Sequence, residues 1–435
     1  MIHPLYMVYT FAGAMVYALT YPFVRLYMRL ARQGNDCLNQ RLGRYPVAVE
    51  HIPGTPRIWI HAASVGEVRV AAAVIAAFKK AFPECAVILS TMTAHGHAFA
   101  VETVGSDAAC IFVPLDFIFP VKRAFDTLAP DVFVVLETEI WPHLFVQAKK
   151  RGMVTAILNG RISERNQSGY KRFRSFFRAI LSHVDVMSMI SAADADRIIA
   201  LGGRPDRVFV NGNAKYDGLS EIVKDEVPAR LRRRLQLRAD VPVFIAGSTR
   251  QNEEATIARS YRKICEQFPE TVLIVAPRHI ERIPAVTALL RQEGLEWRLL
   301  TEIDADVKRG EKARPVIVVD TIGELMNLYS IASFVFCGGS LVPLGGQNIL
   351  EPAAWGIPVF YGPFMDDFKE AKEMLESRGG GMEIKDASDL AARGIELLAN
   401  PEKALMMGNA AKTVIQMSST AAERHVRLLC DYSDL

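Results

Sequence analysis

Acidic side chains follow apolar, strand-like runs at several places in this chain, and Glu67 is the first of them. In WIHAASVGEVRV, Ser64 and Glu67 have the S-x-x-E spacing of a capping box, in which the Glu carboxylate satisfies a backbone N–H at a helix N-terminus. A carboxylate held at a strand end is equally suited to take a proton from a bound hydroxyl. The spacing alone leaves both interpretations open.

A second acidic segment, LETEIWP, places Glu137 and Glu139 at the end of a fully apolar run. Strand alternation predicts that both carboxylates point to one side and Thr138 to the other. Two like charges are costly there unless a cation or a substrate is near, so we expect at least one of them to be functional. Lys215, in GNAKYD, follows another apolar run and is a plausible counter-charge for an anionic substrate.

The run GGSLVPLGGQNILEPAAWG is typical of a phosphate site. Paired glycines let backbone N–H groups approach a ligand closely, and a helix predicted to start near Asn348 would direct its positive end at that ligand. Glu351, one turn into the helix, could accept hydrogen bonds from ribose hydroxyls. The alternative is a glycine-rich turn with an acid in a favourable first-turn position.

Two further segments of the second half contain residues of similar chemistry. APRH places Arg278 after a buried strand, where a guanidinium could bind a nucleotide phosphate or be solvated. In DTIGELMNLY, Thr321 and Glu324 have capping-box spacing, and a cap is the more plausible interpretation of that spacing taken alone.

Composition and missing motifs exclude several classes of function. The chain has 435 residues, with 50% hydrophobic and 23% charged residues and a net charge of +3, which is too small to indicate nucleic-acid binding. Its six cysteines form no CxxC pair, and there is no P-loop and no G-x-G-x-x-G. The DAD triplets at 194–196 and 304–306 are interpreted as structural, and we expect no metal site.

Apolar strands that alternate with helix-like segments predict parallel sheets covered on both faces. Two such series flank a charged segment, which indicates an α/β protein with two Rossmann-like, doubly wound domains facing a cleft. We predict a domain over 31–220, a linker over 221–240, a second domain over 241–410 and a C-terminal helix over 411–435. In such sheets ligands bind beyond the carboxyl ends of the strands, where the residues above lie.

The N-terminus, residues 1–30, is predicted to be a membrane-anchor helix. Residues 4–24 contain no charged side chain, a length close to the ~20 residues that span a bilayer, and arginines follow. The positive-inside rule then places the body of the protein in the cytoplasm. A buried hydrophobic helix is the alternative. The basic and aromatic segment at 165–178 is typical either of a membrane surface or of an ordinary amphipathic helix.

The order of these motifs, from HAASVGE through ETEIWP, NGRIS, GNAKYD, GSTRQNEE, PRH and IGELMNLY to GGSLVPLGGQNILEPAAWG, closely resembles the Kdo transferases. That family transfers 3-deoxy-D-manno-octulosonic acid (Kdo) from CMP-Kdo to the lipid A precursor. The resemblance covers about residues 41–363. It implies the GT-B glycosyltransferase fold, inversion at the anomeric carbon, no metal ion, and a location on the cytoplasmic face of the bacterial inner membrane.

The resemblance also implies roles for single residues. Glu67 matches the general base, and Glu137 and Lys215 match residues that stabilise the transition state. The CMP-binding positions of the family match Pro277, Arg278, Ile322, Gly323, Glu324, Asn348, Ile349, Leu350 and Glu351. Two residues depart from the family pattern, since Ile349 replaces a usual proline and Asp367 a usual asparagine.

With the resemblance, the catalytic interpretation of Glu67 is favoured over the cap. We expect an inverting, metal-independent transferase that uses CMP-Kdo and a membrane-embedded lipid A precursor (lipid IVA), with the first domain binding the acceptor and the second the donor. The alternatives are a GT-B enzyme that uses a UDP-sugar, either a transferase or an epimerase, and an inactive membrane-anchored binding protein. No nucleic-acid partner is expected.

Overall fold

A computed structural model describes residues 3–30, 36–137, 139–162, 173–219, 223–305 and 316–432. The chain divides into two compact units. The first contains the chain up to Asp217 together with the segment from Thr420 onward, and the second runs from Gly218 to Ser419. Helices and strands are numbered below in chain order among the described residues.

The first unit is built on a sheet of parallel strands. Its strands β1 to β7 are Arg57–Ala62, Ala86–Thr91, Ala109–Phe112, Val132–Leu136, Val154–Gly160, Val186–Met189 and Val208–Val210. Its helices α1 to α9 are Pro4–Leu30, Asp36–Arg41, Val47–Glu50, Val65–Ala81, Ala94–Val104, Ile118–Leu128, Pro142–Lys150, Arg174–Leu181 and Ala192–Leu201, and the last helix of the chain, α19, is Ala421–Tyr432.

Both faces of this sheet are buried, which explains why its strands are nearly continuous apolar runs. The five residues of β4, Val132–Leu136, are fully buried. Phe133 and Val135 join one core cluster, and Val132, Val134 and Leu136 join the other. Each such side chain contributes ~1.5–3 kcal/mol by leaving water, so β4 is anchored from both sides.

The strand order of the first sheet creates a switch point. Among the described strands the order is β3-β2-β1-β4-β5-β6-β7, and β1 pairs in parallel with both β2 and β4. The chain therefore builds outward from β1 in one direction and then returns to build in the other. The carboxyl ends of β1 and β4 lie side by side at this reversal, where doubly wound folds bind ligands.

The second unit repeats this architecture. Strands β8 to β14 are Val243–Thr249, Val272–Pro277, Trp297–Leu299, Val316–Val318, Phe334–Cys337, Val359–Tyr361 and Gly381–Glu383. Helices α10 to α18 are Glu226–Arg234, Glu253–Gln267, Ile283–Gln292, Leu300–Ala305, Leu325–Leu328, Leu350–Ala354, Lys369–Arg378, Ala387–Ala399 and Pro401–Ser418.

The described strands of the second sheet have the order β10-β11-β9-β8-β12-β13-β14, so its switch point lies between β8 and β12. The expected α/β fold of GT-B glycosyltransferase type, with two doubly wound parallel sheets, is confirmed. The edge strands β10 and β14 were not predicted, because each has three residues and neither forms an apolar run.

The C-terminal segment differs from the single helix predicted over 411–435. Helix α18 ends at Ser418, and α19 begins at Ala421. Asp217 accepts hydrogen bonds from the N–H groups of Ala421 (3.2 Å) and Ala422 (2.6 Å), and α19 packs on the core of the first unit. The chain therefore begins and ends in the same unit.

Helix α1 lies against the first unit along one side only. Tyr9 donates a hydrogen bond to the buried Asp116 carboxylate (2.8 Å), and Thr10 lies 3.2 Å from Nε2 of the buried His143. Most of its other residues up to Leu26 are exposed, and Pro4–Leu26 is long and apolar enough to cross a membrane. Its most exposed apolar side chains are Met7, Val8, Phe11, Leu19 and Phe23.

Part of the basic and aromatic segment, residues 163–172, lies outside the described residues. In helix α8, Phe176 contacts the ring of Tyr9 at a centroid distance of 6.2 Å and packs against the core. Arg174 and Arg178 are exposed. The described part of this segment is thus an amphipathic helix with its aromatic side partly inward, and its arginines remain available to solvent.

Candidate active site

Several of the predicted site residues meet at the switch point of the first sheet. Glu67 lies in the first turn of α4, directly after β1, and Glu137 directly follows β4. Lys215 lies in a short 3-10 helix, Ala214–Tyr216, that follows β7. Strands β1 and β4 are adjacent, so the two carboxylates are brought together by the topology and not by the sequence.

Glu67 forms one half of the capping box that its spacing predicted, and its carboxylate accepts from the N–H of Ala63 in place of the N-cap N–H. Its backbone N–H donates to Ser64 Oγ (3.2 Å), and Ser64 Oγ donates to Glu67 Oε1 (3.0 Å). The N–H of Ala63 donates to Glu67 Oε2 (2.8 Å). The residue is only 6% exposed, so the carboxylate is held in one orientation at the end of β1.

The surroundings of Glu67 favour its protonated form. Burial is the main cause, and the carboxylates of Glu137 and Glu139 add to it, while the hydrogen bonds from Ala63 and Ser64 oppose it. Together they raise the pKa of Glu67 to about 7. A carboxylate that titrates near neutral pH at a strand end has the property required of a general base.

Asp194 shows what a purely structural capping box looks like in the same sheet. It follows β6 with the spacing S-x-x-D, and its N–H donates to Ser191 Oγ (3.1 Å). Its carboxylate accepts from Ile162 N (2.7 Å) and forms an ion pair with Arg197 (3.2 Å). Asp194 therefore has a cationic partner and a second loop to hold, and the structural interpretation of the first DAD triplet stands.

Glu137 is placed by a change of backbone conformation. Strand β4 ends at Leu136, and Glu137 has a left-handed φ of 55° with its N–H donating to Leu158 O (3.2 Å). Strand alternation therefore does not orient Glu137 and Glu139, which corrects the argument from the sequence, and Thr138 lies outside the described residues. A left-handed non-glycine residue is strained, and such strain is concentrated at functional sites.

Cations balance the charge of Glu137 only in part. Burial raises its pKa, Arg161 and Lys215 lower it, and Glu139 raises it. Burial is also the main cause that raises the pKa of Glu139. Arg161 and Glu139 are thus further members of the site. The sequence pointed to Glu139 together with Glu137, whereas it offered no physical reason to single out Arg161 within NGRIS.

Asn159 connects two of the motifs at this edge of the sheet. It is 2% exposed, has a left-handed φ of 54°, and its Oδ1 accepts a hydrogen bond from Ala214 N (2.8 Å). Asn213 Oδ1 accepts from Lys215 N (3.0 Å). These two bonds fix the turn that carries Lys215 against the end of β5, although the Lys215 side chain itself is exposed.

The predicted donor residues surround the switch point of the second sheet, with one important difference. The N–H groups of Gly339 (2.7 Å), Ser340 (3.0 Å) and Leu341 (3.0 Å), after β12, donate to the carboxylate of Glu253. Arg250 N donates to the same carboxylate (2.8 Å). In the first glycine pair, Gly338 N donates to Gly247 O (2.8 Å) and only Gly339 N donates to the internal carboxylate, so neither N–H is left for a ligand phosphate.

The segment Asn348–Glu351 is only partly accessible. Helix α15 begins at Leu350, two residues after the predicted start, and it is a short helix of five residues. Asn348 Nδ2 donates to Glu351 Oε1 (3.2 Å), whereas Ile349 and Leu350 are fully buried. A ligand could thus contact the side chains of Asn348 and Glu351, but only the backbone of the other two.

The segment Ile322–Glu324 does not form the expected capping box. Helix α14 begins at Leu325 with Glu324 at its N-cap, and Glu324 instead forms an ion pair with Arg234 (3.0 Å). Gly323 has a left-handed φ of 90°. Ile322 is 88% exposed, so its side chain is accessible to a ligand.

Pro277 ends β9, and Arg278 follows it with an exposed side chain.

Asp367, which departs from the family pattern, lies against the second glycine pair, Gly345 and Gly346. Its N–H donates to Gly345 O (3.0 Å). The second DAD triplet extends beyond the described residues. In the part of the chain that the structure describes, no group of three or more His, Cys, Asp or Glu residues is arranged to hold a metal ion.

Comparison with known proteins decides the family. A family model described as 3-deoxy-D-manno-octulosonic-acid transferase (kdotransferase) matches residues 36–218. The 3-deoxy-D-manno-octulosonic acid transferase of Haemophilus influenzae is 31% identical over 402 residues, which cover 91% of this chain and 91% of that protein. This chain belongs to the Kdo transferase family. The Aquifex aeolicus member is 28% identical over 344 residues, which cover 79% of this chain and 86% of that protein.

Solved structures support the fold of this Kdo transferase family member. UDP-GlcNAc 2-epimerase from Neisseria meningitidis, bound to UDP-GlcNAc, covers 86% of this chain and all (100%) of its own, with a TM-score of 0.60 and 12% identity. A glycosyltransferase from Rickettsia africae covers 86% of this chain and 98% of its own, with a TM-score of 0.57 and 12% identity. At this identity the likeness extends to the architecture alone.

Glu67→Gln should lower kcat at least ~100-fold, because an amide cannot accept the proton that a general base removes. Binding of CMP should be unchanged, and stability should change little, because a glutamine oxygen can still accept the hydrogen bond from Ala63 N. Asp194→Asn is the matched control, since it alters the other capping box and should cost stability while leaving kcat within about twofold of wild type. Steady-state kinetics and thermal unfolding of both variants test this. Normal turnover by folded Glu67→Gln would show that the residue only caps α4.

The rate should also depend on pH in a defined direction. The Glu67 base is active only when ionised, so kcat/KM should rise as the pH increases through about 7. Glu139→Gln removes a charge that raises the Glu67 pKa, and it should move this acidic limb to lower pH. Asp196→Asn, an exposed acid on α9, serves as the control and should leave the limb in place. An unshifted limb in Glu139→Gln would contradict the electrostatic account of Glu67.

Proposed function

We propose that this chain transfers Kdo from CMP-Kdo to a lipid A precursor, with inversion at the anomeric carbon and without a metal ion. Membership of the Kdo transferase family supports a glycosyltransferase that uses a sugar nucleotide. The observation that carries the proposal further is Glu67, a buried carboxylate with a pKa near 7 at the switch point of the first sheet. Both Glu67 and Asp194 cap a helix, but Asp194 is ion-paired with Arg197, whereas the carboxylates of Glu137 and Glu139 near Glu67 raise its pKa.

In the proposed reaction Glu67 accepts the proton of an acceptor hydroxyl, and the hydroxyl oxygen attacks the anomeric carbon of Kdo. A new C–O bond forms as the bond between that carbon and the CMP phosphate breaks. The phosphate leaves with the bonding electron pair. Attack from the face opposite to the leaving group inverts the configuration, so no covalent intermediate with the protein is required.

Glu137 and Lys215 have different parts in this proposal. The anomeric carbon gains positive charge as the phosphate leaves, and the carboxylate form of Glu137 nearby would stabilise it. Lys215, at the exposed end of the same cluster, is placed to hold the carboxylate of Kdo or a phosphate of the acceptor. The Glu137 interaction is strongest when charge develops at the anomeric carbon and therefore lowers the barrier, whereas Lys215 would bind a charge that is already present and position the substrate.

A lipid acceptor requires access to a membrane, and helix α1 supports it. One side of α1 is fixed to the first unit through Tyr9 and Thr10, while apolar side chains cover the rest. We propose that this exposed surface inserts into the cytoplasmic leaflet of the bacterial inner membrane. The exposed arginines of α8, next to the start of α1, would then meet anionic headgroups.

Incubation of the purified chain with CMP-Kdo and lipid IVA should yield a Kdo-modified lipid, identified by its mass, together with CMP. The yield should be unchanged after full chelation by EDTA, because basic side chains neutralise the leaving phosphate. UDP-N-acetylglucosamine in place of CMP-Kdo is the control donor and should give neither a transferred nor an epimerised product. Turnover of that control donor, or recovery of EDTA-treated enzyme only with Mg²⁺, would contradict the proposal.

The membrane proposal can be tested without removing α1, whose loss would uncover Asp116 and His143. Substitution of Phe11, Leu19 and Phe23 by serine removes apolar side chains that are 69%, 67% and 74% exposed. This variant should sediment less with anionic vesicles while keeping its rate on detergent-dispersed acceptor. A matched control replaces Leu405, Met406 and Met417, which are 65%, 61% and 55% exposed, by serine. Equal sedimentation of both variants and wild type would contradict the proposed anchor.

A further inference from the structure

The occupied N–H groups after β12 raise the question of which group binds the donor phosphate. Glu253 is 1% exposed and accepts hydrogen bonds from four backbone N–H groups, those of Arg250, Gly339, Ser340 and Leu341. A phosphate in the same place would have to displace a buried carboxylate, which is strongly unfavourable. The N–H groups of Gly339, Ser340 and Leu341 are therefore not the phosphate ligand.

Glu253 instead fixes Arg250 beside this loop. Arg250 follows β8, and its N–H is one of the four that Glu253 holds. A Cβ atom built on Gly339 would lie 3.5 Å from Arg250 Cγ and 3.5 Å from Gln347 Cγ. Gln347 directly precedes Asn348, the first residue of the segment that matches the CMP-binding positions of the family. The Arg250 side chain is thus next to that segment.

The Arg250 guanidinium spans two neighbouring strands. It begins at the end of β8, and its Nη1 lies 2.6 Å from Nε2 of His279, which follows the end of β9 next to Arg278. A guanidinium carries no acceptor, so Nη1 donates and the imidazole accepts, and His279 is therefore neutral in this arrangement. Arg250, His279 and Arg278 form one basic group beyond the carboxyl ends of β8 and β9.

Arg250 also has hydrogen-bonding capacity that the protein leaves unused. Its Nε is buried and has no hydrogen-bond partner among the described residues. A buried donor without a partner is costly, and such groups indicate a ligand or a functional role. Arg282, on the same side of the sheet, provides the contrast. Its two terminal nitrogens bind the buried Glu254 carboxylate at 2.6 and 3.1 Å, which is the geometry of a structural arginine.

We propose that Arg250 is a ligand of the donor phosphate, which it binds through its guanidinium in exchange for His279. This inference rests on the proposed function, in which the donor is a sugar linked to a nucleoside monophosphate. As the bond to the sugar breaks, the phosphate takes the electron pair and gains negative charge. Arg250 then forms stronger hydrogen bonds to it. Glu253 is a positioning residue, because its hydrogen bonds fix the backbone of Arg250 relative to the loop after β12.

The test compares two ligands that differ only in the phosphate. Binding of CMP and of cytidine to the full-length protein is measured by ligand-observed NMR. Arg250→Gln should weaken CMP binding about 10- to 100-fold, the range for a charge-assisted hydrogen bond, and leave cytidine binding unchanged. Arg250→Lys should lie between Arg250→Gln and wild type, because it keeps the charge but loses the planar fork. Arg259→Gln, an exposed arginine of α11, is the control and should change neither affinity.

Two results would overturn the inference. Either CMP binding is unchanged in Arg250→Gln, or CMP and cytidine lose affinity by the same factor, which would mean that Arg250 only supports the fold. If Arg250→Gln does not fold, judged by circular dichroism, the same ratio measured in Arg250→Lys decides. A parallel titration with UMP and uridine separates this inference from the proposed function. Preference of the wild type for UMP would contradict CMP-Kdo as donor, and the Arg250 claim would then be judged on the UMP to uridine ratio.

Discussion

Desolvation of the Glu67 carboxylate is the interaction on which the account of the first unit depends. An ionised carboxylate loses much free energy when it leaves water, and hydrogen bonds from Ala63 and Ser64 restore only part of it. The residue is held in this state by its position, since it lies in the first turn of α4, shortly after the buried strand β1. A protein that needed only a helix cap would gain stability from a solvated acid or from an ion pair, as at Asp194.

The second unit is proposed to bind an anion, the donor phosphate, and groups of the protein must then balance its negative charge. A glycine loop next to a switch point would ordinarily supply backbone N–H groups for this purpose. Here the buried Glu253 takes those groups and holds two loops together. In the proposed reaction the Arg250 guanidinium then binds the phosphate and forms stronger hydrogen bonds as the charge on that phosphate increases. The two adjacent acids of GSTRQNEE thus serve as framework, with Glu253 holding a loop and Glu254 holding Arg282.

Much of the fold could be predicted from the sequence, because strands buried on both faces form continuous apolar runs such as Val132–Leu136. The short edge strands β10 and β14 could not, since an edge strand of three residues has no such signal. The position of α19 could not be predicted from the sequence either. Its packing on the first unit depends on Asp217, which lies more than two hundred residues earlier in the chain.

The candidate site was predictable where one residue follows one strand, as for Glu67, Glu137 and Arg278. Contacts between residues that follow different strands could not be predicted, because they depend on the order of the strands in the sheet. Strand alternation could not orient Glu137, whose left-handed φ ends the strand one residue earlier than the pattern suggests. The spacing of Thr321 and Glu324 predicted a cap, but a partner far away in sequence, Arg234, takes the carboxylate instead. The motif GSTRQNEE contains Arg250, but the sequence gives no role for this residue. Only its contacts with Glu253 and His279 in the structure reveal one.

The central claim is that Glu67 is a desolvated base, and its ionisation can be measured directly. Infrared difference spectra of the full-length protein across the pH range would be recorded for wild type and for Glu67→Gln. The carboxylate signal present only in wild type belongs to Glu67. The account predicts that this signal titrates near pH 7, as its burial and its acidic neighbours require. Titration near the ordinary value for glutamate, about 4.3, would contradict the account and leave Glu67 as the cap of its helix.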